Sequence, residues 1–245
     1  MVKTFEKQQK LSVYEFDSEN KLKINSLFNY IQDIAAEHAE SLLVGRKDLE
    51  QWNLFWVLSW VKVKIVGYPK FGESIRIKTW PKRQYRLFSL RDLLFYNQND
   101  EVFAKVSTAW LLVNAKSMRA TSVESLPIPI NYHSEEDALT ETPDKISALS
   151  PNKQLVFEKS IKYSDIDVNK HVNNAKYVEY LFDCYSKEEL EQKTIKEITL
   201  SFLSEAKFDD EISIFREKLS VTSHIFEAYN KSNEKLIFKA IIDWN

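Results

Sequence analysis

The sequence predicts an α+β protein built as two successive units, each a long helix wrapped by a curved antiparallel sheet. Two apolar stripes of helical period stand far apart, each followed by strand-like runs joined through tight polar turns. A proline-rich stretch separates the two sets. The expected division is an N-terminal unit over 1–126, a linker over 127–152 and a C-terminal unit over 153–245.

The first helix is expected from about Asn25 to Leu43. Leu27, Tyr30, Ile31, Ile34, Ala35, His38 and Leu42 share one stripe, with Gln32, Asp33, Glu37 and Glu40 away from it, and Gly45 stands where a stop belongs. The pattern then turns to strands. Phe55–Val66 is rich in β-branched and aromatic residues, and Val61, Val63 and Ile65 alternate with Lys62 and Lys64. After a turn over Gly67–Gly72, strands are expected over Ser74–Trp80, Arg86–Tyr96 and Val102–Val113, broken at Pro81-Lys-Arg and at Asn97-Gln-Asn-Asp100. Pro127, Pro129, Pro143 and Pro151, with Ser134-Glu-Glu-Asp137, mark a linker that wraps the surface. The order then repeats. A strand over Leu155–Tyr163 leads to a helix from about Asn174 to Leu190, with Val178, Leu181, Phe182 and Tyr185 on one stripe. Strands follow near Thr194–Leu203, Glu211–Ser220, His224–Tyr229 and Lys235–Trp244. Each stripe must be buried, and the sheet that follows it offers the face.

Composition narrows the chemistry. The 245 residues are 44% hydrophobic and 29% charged, enough for a sizeable core without a run long enough to span a membrane. Lys and Arg number 34 against 36 Asp and Glu, which argues against polyanion or nucleic-acid binding by net charge. Three glycines (Gly45, Gly67 and Gly72) leave no way to write a phosphate loop or a G-x-S-x-G elbow. One cysteine, Cys184, excludes an internal disulfide and a cysteine-rich zinc site, and fits a reducing compartment. The N-terminal Met1-Val-Lys-Thr-Phe-Glu-Lys-Gln-Gln-Lys10 has no apolar core of a secretory signal, so a soluble, cytoplasmic protein is expected.

The densest polar cluster is Ser164-Asp-Ile-Asp-Val-Asn-Lys-His-Val-Asn-Asn174, directly before the second helix. A loop ending in a helix cap is the bland explanation, because Asn and Asp are favoured at both. Capping needs only one or two such residues, whereas Asp165, Asp167, Asn169, His171, Asn173 and Asn174 all fall here. Asp167, Asn169 and His171 can gather three polar groups about one point, and a histidine exchanges protons near neutrality. Metal binding is the weaker alternative, lacking a second histidine nearby and the glycine of a calcium loop. Elsewhere His38 reads as a partly buried structural histidine, His133 and His224 as solvated, and Cys184 as a small buried hydrophobe.

The two-unit pattern, together with Asp165-Ile-Asp-Val-Asn-Lys-His-Val-Asn-Asn-Ala-Lys-Tyr177, resembles the acyl–acyl carrier protein thioesterases, tandem (double) hotdog enzymes. Asn29-Tyr-Ile-Gln-Asp-Ile-Ala35, Asn53-Leu-Phe-Trp-Val57, Tyr68-Pro-Lys-Phe-Gly-Glu73 and Thr79-Trp80 resemble the family in the first half. The resemblance implies a catalytic set of Asp167, Asn169 and His171 with Glu205, which lies in Thr199-Leu-Ser-Phe-Leu-Ser-Glu-Ala206. Plant members carry a cysteine after that glutamate, once considered the nucleophile; here Ala206 stands in its place. Hydrolysis by an activated water is therefore the implied chemistry, with no cofactor and no metal.

Asp17-Ser-Glu-Asn-Lys-Leu-Lys-Ile-Asn25 in the first half has no histidine, so one site per chain is expected. The resemblance gives the first unit the acyl tunnel, with Leu27, Ile31, Ile34 and Trp56 as candidate lining beside Trp52, Phe55 and Trp60, although core packing explains each equally well. Asn173 and Asn174 are further candidates for contact with the substrate. Arg76, Lys78, Lys82, Arg83, Arg86 and Arg91 form a basic run with no acid among them, a candidate surface for an acidic carrier protein. An acyl-CoA thioesterase and a non-catalytic acyl-binding module remain as alternatives, and either a monomer or a homodimer satisfies the pattern.

Overall fold

A computed structural model describes residues 4–133 and 135–245; Met1, Val2, Lys3 and Ser134, quoted above, lie outside the described residues. The chain forms two compact units, Met1–Leu22 with Asn29–Pro143, and Lys23–Phe28 with Asp144–Asn245.

The first half runs β1 (Phe5–Lys10), α1 (Ile24–Ser41), α2 (Arg46–Gln51), β2 (Leu54–Ile65), β3 (Ser74–Tyr85), β4 (Phe88–Tyr96), β5 (Val102–Asn114) and β6 (Arg119–Thr121). The second runs β7 (Gln154–Ser160), α3 (Asn174–Asp183), α4 (Lys187–Glu191), β8 (Ile195–Phe202), β9 (Glu211–Ser220), β10 (Ser223–Asn230) and β11 (Leu236–Trp244). Strand order is β1-β3-β4-β5-β2 in the first half, with β6 on β5, and β7-β9-β10-β11-β8 in the second. Adding six to each strand number converts the first order into the second, so the duplication extends to topology. The antiparallel ladders shift register between Leu58 and Trp60, between Pro81 and Arg83, and between Leu155 and Phe157. Each shift sharpens local twist and helps the sheet bend.

Helix α1 buries Leu27, Ile31, Ile34 and His38 of the stripe read from its sequence, and Phe28 beside them, at 1% exposure or less. His38 stacks on Phe5 of β1 and meets Arg91 of β4 at 2.9 Å through Nδ1, so the helix is tied to the sheet by a polar contact inside the core. In the second unit Tyr177 of α3 packs on Phe202 and Phe238, from β8 and β11. Burial of such aromatic surfaces, at about 25 cal/mol per Å² of apolar area, is the main stabilising term.

Several expectations need correction. The second helix is two: α3 ends at Asp183, and Ser186 starts α4 with a capping box in which its hydroxyl accepts from Glu189 N–H while Glu189 accepts from Ser186 N–H. Pro81 does not end a strand. β3 continues through it to Tyr85, because Pro81 sits at a register shift and its carbonyl still accepts from His133 N–H at 2.7 Å. The turn falls instead at Arg86, whose φ is 56°. β1 escapes a hydrophobicity reading because Phe-Glu-Lys-Gln-Gln-Lys is almost wholly polar, as suits the edge position it occupies.

The stretch read as a linker is pinned to each unit in turn. On the first unit Trp80 Nε1 donates to Glu136 O at 3.1 Å and Ala138 N–H to Asp92 Oδ2 at 2.7 Å. On the second, Leu149 N–H reaches Glu227 and Ser150 N–H reaches Glu217, the latter at 2.7 Å. His133 is half-buried edge-on to Trp80 rather than solvated.

His224 is also buried, at 7% exposure, with Nδ1 2.9 Å from the Tyr185 hydroxyl. Burial, reinforced by Arg216 and Lys193, pushes its imidazole down to about 4, against about 6.5 in an unfolded chain. Between those values the unfolded chain takes up a proton that the folded protein refuses, so stability falls as pH drops below 6.5. The loss from this group alone is about 2 kcal/mol at pH 5. His224→Asn is expected to flatten the difference between denaturant melts at pH 7 and pH 5; an unchanged difference would remove His224 as its source.

Candidate active site

The polar cluster forms a closed loop. β7 runs into a short 3-10 turn at Tyr163–Asp165, and a bridge between Ile166 and Val172 pinches the loop shut. Inside it Asp167 N–H donates to His171 O at 2.9 Å, Lys170 N–H donates to Asp167 O at 3.0 Å, and Lys170 takes a left-handed φ of 65°. The Asp167 carboxylate accepts from Asn169 N–H at 2.8 Å, with the Asn169 amide 3.4 Å from its other oxygen. Asp167 thus shapes the loop and aims Asn169, whose side chain is exposed.

The partner segment leaves β8. Leu203 and Ser204 N–H both donate to Ile237 O, ending the ladder, and Ala206 O then accepts from Val172 N–H at 2.9 Å. That bond staples the exit of β8 to the loop one residue beyond His171. It brings Glu205 Oε2 to 2.9 Å from His171 Nε2, with the two side chains 49% and 28% exposed. The result is a solvent-reachable imidazole–carboxylate pair on a loop that also presents the exposed Asn169 carboxamide.

The duplication shows which of these groups the fold requires. At a spacing of 150 residues the first half repeats the loop: the Phe16–Leu22 bridge matches Ile166–Val172, Asp17 matches Asp167, and Asn20, at φ 58°, matches Lys170. Asp17 accepts from Glu19 N–H at 2.9 Å, as Asp167 does from Asn169 N–H. Glu15 accepts from the Tyr30 hydroxyl and from Ser12 N–H, while Asp165 faces Tyr180 and accepts from Lys162 N–H at 2.8 Å. Burial alone would raise the Asp165 carboxyl. The Lys162 N–H, the Tyr180 hydroxyl and the charge of Lys159 outweigh it and hold the group below its ordinary value. These shared features build the loop.

The chemistry-bearing positions differ. Asn169 is matched by Glu19 and His171 by Lys21. After the central strand the spacing becomes 137, where Lys70 N–H to Glu73 and Lys207 N–H to Asp210 are equivalent bonds of 3.0 and 2.8 Å, and Gly72 and Asp209 share a positive φ. On that spacing Glu205 is matched by Tyr68. The same scaffold therefore carries the imidazole–carboxylate pair in its second copy alone.

Of the other candidate residues, Asn173 caps α3, accepting from Ala175 N–H at 2.8 Å, and Asn174 opens that helix. Leu27, Ile31 and Ile34 are buried, and the half-buried Trp56 donates from Nε1 to Val44 O at 3.1 Å while packing, with Trp52, on a core cluster of Leu42, Leu49 and Leu54. Trp60 belongs to a separate cluster with Leu90 and Ala109, and Phe55 is half-buried.

The basic run does not form one cationic face. Lys82 and Arg91 are 1% and 8% exposed, the first against Asp92, the second bonded to His38 and Thr79. Arg76 pairs with Glu6 and Asp100, Lys78 with Glu136 and Arg83 with Asp137. Arg86 is exposed, its guanidinium over the Tyr85 ring. Folding supplies acids from distant segments that a linear charge count leaves out. Cys184 is buried, its thiol pushed up to about 12 by burial and bonded to Tyr180 O, which fits a packing role.

Two repeats of one helix-on-sheet unit, with an imidazole–carboxylate pair kept in one copy, define a hotdog-type scaffold. Residues 2–126 match the acyl-ACP thioesterase N-terminal domain and residues 150–245 its C-terminal domain, so the chain belongs to the acyl-ACP thioesterase family. It is similar to a chloroplastic palmitoyl-acyl carrier protein thioesterase from Gossypium hirsutum, 26% identical over 208 residues, covering 80% of this chain and 50% of that protein. The chain spans about half the length of the curated plant relatives it matches. An acyl-ACP thioesterase from Bacteroides thetaiotaomicron superposes with a TM-score of 0.86 at 25% identity, covering 99% of this chain and 98% of that one. A 12:0-ACP thioesterase from Umbellularia californica shares the fold, with a TM-score of 0.86 at 20% identity over 100% and 98% of the two chains. No described helix is long and apolar enough to cross a membrane.

Proposed function

We propose that this chain hydrolyses the thioester of acyl–acyl carrier protein with an activated water, releasing a free fatty acid and so ending acyl chain growth. The observation that carries the reading is the 2.9 Å contact of His171 Nε2 with Glu205 Oε2, held in the one repeat that also presents Asn169. A carboxylate only accepts, so Nε2–H donates and the imidazole holds Glu205 in place. The second Glu205 oxygen is left to receive a proton from water.

The water oxygen bonds to the thioester carbonyl carbon as its proton passes to Glu205. The tetrahedral oxyanion collapses with cleavage of the C–S bond, and Glu205 returns the proton to the departing sulfur. Asn169 donates from its side-chain amide to the carbonyl oxygen as negative charge develops. Asp167 acts on Asn169 through the loop and stays out of the proton transfer. Leu27, Ile31, Ile34 and Trp56 are the candidate lining for the acyl chain, and Asn173 and Asn174 are candidate contacts of the substrate. Since the aliphatic residues are closely buried, an acyl chain reaching them must displace core packing.

The test is release of thiol and free acid from one acyl group carried either on carrier protein or on coenzyme A. A higher kcat/KM on carrier protein is expected. Equal or better turnover of the acyl-CoA would favour the acyl-CoA reading, and no turnover of either would leave an acyl-binding module.

A further inference from the structure

We propose that Tyr177 is a positioning residue that holds Glu205 in place by fixing the peptide N–H of Ala206. The inference rests on the hydrolytic reading above and extends it to a side chain that neither reacts nor touches the acyl group. Ala206 N–H donates to the Tyr177 hydroxyl at 3.1 Å, and Ala206 O accepts from Val172 N–H at 2.9 Å. The backbone of Ala206, the residue after Glu205, is thus gripped through its N–H by α3 and through its C=O by the His171 loop. Tyr177 is 3% exposed and wedged against Phe202, Phe238 and Tyr180, which leaves its hydroxyl little freedom to drift. Burial first, then the carboxylates of Glu205, Asp210 and Asp167, raise the phenol well above its ordinary value, so it stays neutral beside them.

The duplication separates this bond from ones that merely build the fold. The tyrosine that meets the acidic residue of the 3-10 turn is kept in both copies, as Tyr30 with Glu15 and Tyr180 with Asp165. The Tyr177–Ala206 pair is kept in neither of its members: Tyr177 is matched by Leu27, and Ala206 by Pro69, which has no N–H to donate. Hydroxyl and donor are both absent from the copy that has Lys21 and Tyr68 in place of His171 and Glu205. A bond needed only to fold the unit would be expected in both copies. One needed to aim Glu205 belongs only where Glu205 is.

Tyr177→Phe deletes the hydroxyl and keeps the ring, and Ala206→Pro deletes the same bond from its other end. Each is expected to lower kcat about 10- to 100-fold, the usual cost of a catalytic group displaced by roughly 1 Å, with KM within about twofold of wild type. Tyr180→Phe, at the tyrosine–acid contact both copies keep, is expected to lower Tm while leaving kcat near wild type. The decisive measurement is Tyr177→Phe in a Glu205→Gln background, where it should cost nothing further because its target is already lost. A folded Tyr177→Phe with wild-type kcat, or an equal fold-loss in both backgrounds, overturns the inference. An undiminished Glu205→Gln enzyme would instead sink the hydrolytic reading. If Tyr177→Phe does not fold, Ala206→Pro alone decides, by the same two comparisons.

Discussion

Glu205→Gln is expected to lower kcat by about 10²- to 10⁴-fold, the range over which a positioned general base contributes, with little change in KM. Glutamine fills the same volume and can still accept from His171 Nε2 across the 2.9 Å contact. The geometry of the loop should therefore survive while the capacity to take a proton from water is lost. A thousandfold loss corresponds to about 4 kcal/mol of transition-state stabilisation. His171→Ala is expected to cost a comparable factor by another route, since it frees a carboxylate that is half exposed and otherwise unconstrained on that side. The double variant should be little worse than the poorer single one, because the two groups act as a unit. Single-turnover release of thiol by variants with native circular dichroism is the measurement. Near-wild-type turnover by Glu205→Gln would end its role as base, and fully multiplicative losses would show that the pair acts separately.

The same pair marks how far a linear reading reaches. The loop from Asp167 to His171 and the glutamate after the next strand were legible because loop residues are close in sequence and the motif string resembles that of a known family. Helix α1 and most strands were legible because their periodicity is local. Distances across the chain were not. Arg91 and Lys82 read as surface cations until α1, β4 and the pinned linker segment supplied His38, Asp92 and Asp137 as partners. His224 read as a solvated strand start until Tyr185 covered it. The break between α3 and α4 was legible in Ser186-Lys-Glu-Glu189, a capping pattern hidden beneath a helical stripe that continues through it. Tyr177 stands inside the motif string, but the contrast with Leu27 and Pro69, on which its proposed role rests, lies in the other half of the chain. The equivalence of those positions depends on matched bridges and left-handed residues, not on sequence identity.

The buried pair of Lys82 and Asp92 yields the largest expected effect on stability. The two side chains are 1% and 0% exposed and lie 3.2 Å apart, and Lys82 also donates to Leu139 O. Asp92 receives Ala138 N–H at 2.7 Å, so the pair helps to anchor the linker segment, beside the bond from Trp80 Nε1 to Glu136 O. Taking two charges out of water is costly, and here the two charges offset it together with Asp137, 3.4 Å from Lys82 Nζ, and the N–H of Ala138 on Asp92. Burial is already the leading influence on the Asp92 carboxyl, raising it despite Lys82 and the Ala138 N–H. Lys82→Met would strand that carboxylate, at a cost of about 3–5 kcal/mol, or a fall in Tm of roughly 10 °C for a chain of this size. Removing both charges in Lys82→Met/Asp92→Leu removes the stranded group as well, so the double variant is expected to be more stable than Lys82→Met alone. The linker segment would still lose its Ala138 anchor, and cleavage at Glu135, Glu136 or Glu141 by a glutamate-specific protease should accelerate in both variants. Thermal melts of the three proteins measure the coupling directly. A Lys82→Met protein melting with wild type would mean that Asp92 takes up a proton or water at little cost, and that the charge on Lys82 is not what keeps this segment in place.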